Sequence, residues 1–94
     1  ALSDTLQEIL AFGNETSGND IVVSAGDDIT FTDSSKAIFG ASSDLQIYHD
    51  GSNSYIKDSG TGNLLIEANN LILKNADGTE FIAQFVQDSG VSLY

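Results

Sequence analysis

His49 is the only histidine of the chain, set between Tyr48 and Asp50, and an imidazole beside a carboxylate is the pairing that general-base catalysis or metal ligation would use. Nothing completes that chemistry. There is no second histidine, no Gly-x-Ser-x-Gly elbow and no phosphate loop, so no catalytic residue is assigned and no enzyme is expected. The ordinary reading is a strand-end histidine before an Asp50-Gly51 turn, with stacking near an assembly axis as a further option. A second constellation, Asn75-x-Asp77-Gly78-x-Glu80, alternates oxygen ligands like half a calcium loop. Asn75, Asp77 and Glu80 are therefore the metal candidates, and Asp27-Asp28 adds a carboxylate pair. The bidentate glutamate that closes such a loop is missing at the required spacing, so a plain turn is expected, with no metal and no cofactor. Three copies of one carboxylate around an axis would be another way to hold a cation. Tyr48, Tyr55 and Tyr94 alternate with apolar residues. Tyr48 and Tyr55 are the candidate glycan contacts, against the commoner arrangement of rings packed on a sheet with hydroxyls at the surface.

These residues would be held by many short strands. Gly, Asn, Asp, Ser and Thr separate brief apolar patches over most of the chain, and there is no proline. That texture predicts strands at 21–24, 29–32, 37–39, 45–48, 55–57, 64–67, 71–74, 80–86 and 91–94, each bounded by turn residues. Strand starts recur about every 8 to 10 residues, as in a sandwich, barrel or β-solenoid. Residues 3–12 read as a helix, capped by Ser3 or Asp4 and stopped in left-handed conformation by Gly13 and Asn14. Leu2, Leu6 and Ile9 follow at coiled-coil steps. So short a helix cannot persist alone in water, since nucleation is costly; it either folds back on the strands or bundles with other copies, and the spacing favours a bundle. Residues 14–20 read as a connector.

Composition narrows the partners. Fourteen acidic residues against three basic ones give a net charge of −11, which argues against binding phosphate backbones, so no nucleic acid is expected. No apolar run approaches the roughly 20 residues of a spanning helix, and the start lacks the tripartite layout of a secretory leader, so no membrane is expected. The chain has no cysteine, which removes disulfides and thiolate zinc as staples. Ninety-four residues bury a modest fraction of their surface when folded alone. Oligomerisation is the remaining common source of stability.

The stretch from Asp44 to Ile56, DLQIYHDGSNSYI, resembles a motif of tail-fibre and structural fibre proteins of marine bacteriophages. Thr61-Gly62-Asn63-Leu64, Asn75-Ala76-Asp77-Gly78-Thr79-Glu80 and Gly90-Val91-Ser92-Leu93-Tyr94 resemble its continuation, and residues 6–21 resemble the helix and connector that precede such segments. The resemblance implies a viral structural protein in a virion tail or extracellular appendage, trimeric by analogy and without catalytic activity. Fibre chains of this kind run on past the equivalent of Tyr94, which makes this chain a short version, a fragment or one unit of an end-to-end polymer.

The expectation is thus a mainly β homotrimer. Residues 1–13 form a helix for a trimeric bundle or for polymerisation, 14–20 connect, and 21–94 form an intertwined β-prism or β-helix shaft. Its axis would be filled by Leu2, Leu6, Ile9, Ile29, Phe31, Leu45, Ile47, Leu64, Ile66, Leu71 and Leu73, with Ile38, Ile56, Phe81, Phe85, Val91 and Leu93 beside them. Rival readings are a self-polymerising extracellular filament, a carbohydrate-binding adhesin of host surface glycans, and a polysaccharide-degrading tailspike.

Overall fold

The computed structural model describes residues 4–94; Leu2, assigned above to a helical seam, lies outside them. One helix, α1 (Leu6–Phe12), precedes six strands: β1 (Lys36–Phe39), β2 (Leu45–His49), β3 (Ser54–Asp58), β4 (Asn70–Lys74), β5 (Phe81–Val86) and β6 (Gly90–Leu93). The protein is mainly β. Its strands form two three-stranded antiparallel sheets, ordered β1-β2-β3 and β4-β5-β6. Each is a simple meander, as expected where short connections join neighbouring strands.

The helix starts later than its apolar stripe suggests. Thr5, not Asp4, is the N-cap, Ser3 lying outside the described residues: the Thr5 hydroxyl accepts the Glu8 backbone N–H at 3.2 Å and donates to the Glu8 carboxylate at 3.2 Å. This is a Thr-x-x-Glu capping pair, which satisfies an orphan donor of the first turn. Gly13 ends the helix in extended conformation, φ 178°, rather than left-handed, so its role there requires no glycine. No described contact joins α1 to any strand, so the helix does not fold back on the sheets.

Three expected strands are absent from the sheets. Stretches 21–24, 29–32 and 64–67 make no ladder, and the first sheet begins only at Lys36. A strand exists by virtue of its neighbour, and local propensity cannot provide one. The turn between the first two does form, with the Asp27 N–H donating to the Ser24 carbonyl at 3.0 Å. Its flanks nevertheless stay unpaired.

Register decides what each sheet shows. Ala37, Ile47 and Ile56 lie side by side across the first sheet; with Phe39 and Leu45 they make an apolar face, because alternate residues share a side. Ile38 pairs with Gln46 and so falls on the opposite side, contrary to its expected interior place. In the second sheet Leu71, Phe85 and Val91 form one row and Leu73, Ala83 and Leu93 the next. That face has no polar residue in either row. Phe81 is excluded from it by a register shift at Leu73/Lys74. The extra residue reverses the alternation, so Phe81, expected beside Phe85, sits instead with Lys74 and Tyr94.

Neither apolar face is fully covered. Ala83, 4 % exposed, is the one buried apolar residue among those described, while 24 large apolar or aromatic side chains stand exposed. The two sheets make no described contact with one another. The chain extends over 60 × 32 × 27 Å with a radius of gyration of 18.5 Å, against about 12 Å for a compact domain of this length. Its accessible surface is 8363 Å², whereas a folded monomer of 9.9 kDa exposes about 5,200 Å². The excess, about 3,200 Å², is the area that a self-sufficient monomer of this mass would have buried.

Within the first sheet, Asp44 is clasped between two glycines. Its carbonyl accepts the N–H groups of Ser59 (2.8 Å) and Gly60 (3.2 Å), and a Cβ on Gly60 would meet the Asp44 Cβ at 2.9 Å and its Oδ1 at 2.7 Å. Gly60→Ala is therefore expected to lower unfolding stability by about 1–3 kcal/mol through overpacking. Gly13→Ala, where an added Cβ meets nothing within 4 Å, is expected to be near neutral. Denaturant midpoints of the two variants test the contrast.

Candidate functional site

The motif from Asp44 to Ile56 folds into the β2–β3 hairpin, in register from Leu45 opposite Asp58 to His49 opposite Ser54. Its four-residue loop is closed by the Asp50 N–H donating to the Asn53 carbonyl at 3.0 Å. The Asp50 carboxylate holds the loop from the side. One oxygen accepts the backbone N–H groups of Ser52 (2.8 Å) and Asn53 (2.7 Å), and the other accepts the Tyr55 hydroxyl at 2.9 Å. Aspartate suits this place because its short side chain reaches donors two and three residues ahead. The Asn53 and Ser52 donors, then the Tyr55 hydroxyl, keep the Asp50 carboxyl below the usual aspartate range. In return, the Asp50 hydrogen bond raises the Tyr55 phenol above its ordinary value.

Tyr55 stacks on Tyr48, ring centroids 4.7 Å apart and planes 19° from parallel, the close cross-strand geometry that directly opposed aromatics adopt. On the other side of Tyr48 stands Lys36, its Nζ 4.7 Å from the ring centre. Lys36, Tyr48 and Tyr55 thus form one row across the three strands, ending at Asp50. Both faces of the Tyr48 ring are occupied. Of the two candidate glycan contacts, only Tyr55 has an outward face left for a sugar ring.

His49 is paired with Ser54, its Nδ1 2.9 Å from the hydroxyl oxygen. No described hydrogen bond joins it to Asp50, whose oxygens are taken by the loop and Tyr55. The third group that would orient a His–Ser pair for nucleophilic attack is therefore not supplied by its neighbour.

The metal candidates of the second sheet form the β4–β5 loop. The Asn75 backbone N–H donates to the Glu80 carbonyl at 3.1 Å, and Asn75 Oδ1 accepts the Glu80 N–H at 3.0 Å. Asp77 Oδ1 accepts both the hydroxyl (2.6 Å) and the backbone N–H (3.1 Å) of Thr79, bonds that hold its carboxyl below the usual range. Asn75 and Asp77 thus direct oxygens at donors of the loop itself, and no cluster of three metal-binding side chains occurs among the described residues.

A second aromatic row, which sequence reading missed, lies here. Lys74 Nζ is 5.2 Å from the Phe81 ring centre, and Phe81 meets Tyr94 edge-on at 5.6 Å. The Tyr94 hydroxyl donates to Gln84 at 3.2 Å. Two of the chain's three lysines thus stand over aromatic rings, each arrangement worth about 0.5–1 kcal/mol at an exposed site. Only register brings these partners together, so spacing alone gave no signal.

The opposite sides of the sheets hold the apolar surface. Phe31 lines an open groove with Ala37, Ile47 and Ile56, and Ile66 lines another with Leu71, Phe85 and Val91. No family model matches the chain, and neither curated proteins nor solved structures include one similar to it.

Acid is expected to loosen the β2–β3 loop at lower pH than an ordinary aspartate would titrate. Because the folded-state pKa of Asp50 is depressed, its contribution is present above the ordinary value of about 3.9 and is lost as pH falls through the folded one. Amide exchange at Ser52 and Asn53 should accelerate in that window. Asp50→Asn, which keeps an acceptor without the titrating charge, should remove the pH dependence.

Proposed function

We propose that the chain is a structural fibre subunit that becomes a complete folded unit as a homotrimer, its sheets and helices arranged around a common axis as the β-prism or β-helix shaft of a phage tail fibre or extracellular appendage. The observation that carries this is the excess of about 3,200 Å² of exposed surface over a compact monomer. A dimer would have to bury twice that in one interface, above the usual 2,000–5,000 Å² of obligate contacts. A ring of three shares the area among three interfaces of about 3,200 Å² each, within that range. It is the smallest closed assembly that does so. The resemblance of Asp44 to Ile56 to fibre proteins points the same way. The aromatic rows and carboxylate-held loops are then fittings that stiffen short strands, and the role is mechanical extension and presentation.

Light scattering tests the reading. A mass three times the 9.9 kDa of one chain is expected, unchanged by chelator. A compact monomer would end the proposal.

The helix α1, which touches none of the strands, also suits end-to-end growth, in which the helix of one assembly docks on the next. Fibres in negative stain that disappear when residues 1–13 are deleted would establish that form.

A further inference from the structure

We propose that residues 21–23, 29–31 and 64–66 are intermolecular strands, each pairing along a free sheet edge of a neighbouring copy of this chain; the inference rests on the homotrimer reading and says how the copies interlock. Among the described residues, none forms a backbone hydrogen bond with these nine. Side-chain burial alone would leave those backbone groups in a difficult position. A buried N–H or carbonyl without a partner costs about 1–3 kcal/mol, so covering these stretches by apolar contact alone would be opposed at every residue. A strand edge removes that cost.

The nine residues are suited to it. They are Ile21, Val22, Val23, Ile29, Thr30, Phe31, Leu64, Leu65 and Ile66, eight apolar and one threonine, seven of them β-branched or aromatic, the types that favour strands. None is charged. The acids stand just outside, at Asp20, Asp27, Asp28, Asp33 and Glu67, so a chain of net charge −11 keeps its repulsion in the turns and away from the contact. The Ser24–Asp27 turn closes without its flanks pairing, which shows that these stretches do not take each other as partners.

Edges long enough to take them exist on the same chain. β1 and β3 border the first sheet and β4 and β6 the second, each four or five residues long. The chain therefore carries both halves of the contact, unpaired strands and unpaired edges, and a second copy supplies what the first lacks without any foreign component. Phe31 and Ile66 already line the grooves beside the two apolar faces, so strand addition at these positions also closes those faces.

The experiment is amide hydrogen exchange on the full chain, at a concentration where light scattering gives the trimer, with a mixed sample of labelled and unlabelled chains for contacts between molecules. Expected are protection of the Val22, Val23, Thr30, Phe31, Leu65 and Ile66 amides by at least about 100-fold over unstructured peptide and intermolecular contacts from these residues to β1, β3, β4 or β6. Leu65→Pro, which removes one donor, should weaken assembly, while Leu65→Ile should leave it intact. A trimer whose segments exchange at peptide rates, or whose protected segments contact only their own chain, overturns the inference and leaves the homotrimer standing. A folded monomer overturns both.

Discussion

Phe85→Asp is expected to leave the chain monomeric, with its β signal in circular dichroism lost. Phe85 lies mid-row between Leu71 and Val91 on the face of the second sheet that carries no polar residue in either row. Phe85 is only 37 % exposed, so covering it in the proposed trimer adds roughly a third of the 1.5–3 kcal/mol of full burial, whereas a carboxylate at the same place would cost about 2 kcal/mol or more per copy to desolvate. From that desolvation cost, three copies make the loss about 6 kcal/mol or more per trimer, roughly four orders of magnitude in the association constant. Ser92→Asp is the control, because Ser92 pairs with Gln84 on the other side of the same sheet. It should leave mass and spectrum unchanged. Equal damage from both variants would mean that the apolar face is not the contact.

Dilution is expected to unfold the wild-type protein. Where folding and association are one process, stability depends on protomer concentration. For a trimer that melts to three unfolded chains, each tenfold dilution removes about 2.7 kcal/mol per trimer. With an unfolding entropy of about 2.1 cal/mol/K per residue, Tm should fall by roughly 4–5 °C per tenfold step. Calorimetry or circular dichroism over two decades of concentration reads this directly. A Tm that does not move would mean that one chain suffices, and the exposed faces would then need another explanation.

Acidity sets the conditions for both measurements. Three chains of net charge −11 repel one another, and that repulsion is screened over about 10 Å at 0.1 M salt. Comparisons of mass or Tm therefore need a fixed ionic strength.

Much of the sheet architecture was legible before any coordinates. The strand at Leu45–His49, its return at Ser54–Asp58 and the loop between them follow from alternation on either side of Asp50-Gly51-Ser52-Asn53. The meander from Leu71 to Leu93 follows from the turn residues at Asp77-Gly78 and Asp88-Ser89-Gly90. These signals are local, and local signals survive in a short hairpin. The helix was legible too, but Thr5 rather than Asp4 caps it, because Thr5 and Glu8 form a reciprocal pair of hydrogen bonds.

Other features were not legible, each for a definite reason. Stretches 21–24 and 64–67 have the residue types of strands, yet pairing needs an edge, and no edge of the chain reaches them. The places of Ile38 and Phe81 depend on register, which a single-residue shift inverts. The row from Lys36 through Tyr48 and Tyr55 to Asp50 joins residues up to 19 positions apart, and the partner across a strand cannot be read from spacing within one.

By itself, then, the sequence determined which residues alternate, where the chain turns, how strongly acidic it is and that its apolar side chains come in patches too brief for a deep interior. Tertiary structure alone decided which side of each sheet those patches occupy, that a bulge removes Phe81 from its expected neighbours and that the apolar sides stay partly exposed. The difference is physical. Turn and strand preferences act over a few residues, whereas register and burial are settled between strands that meet in space, where a shift of one residue changes the face a side chain occupies.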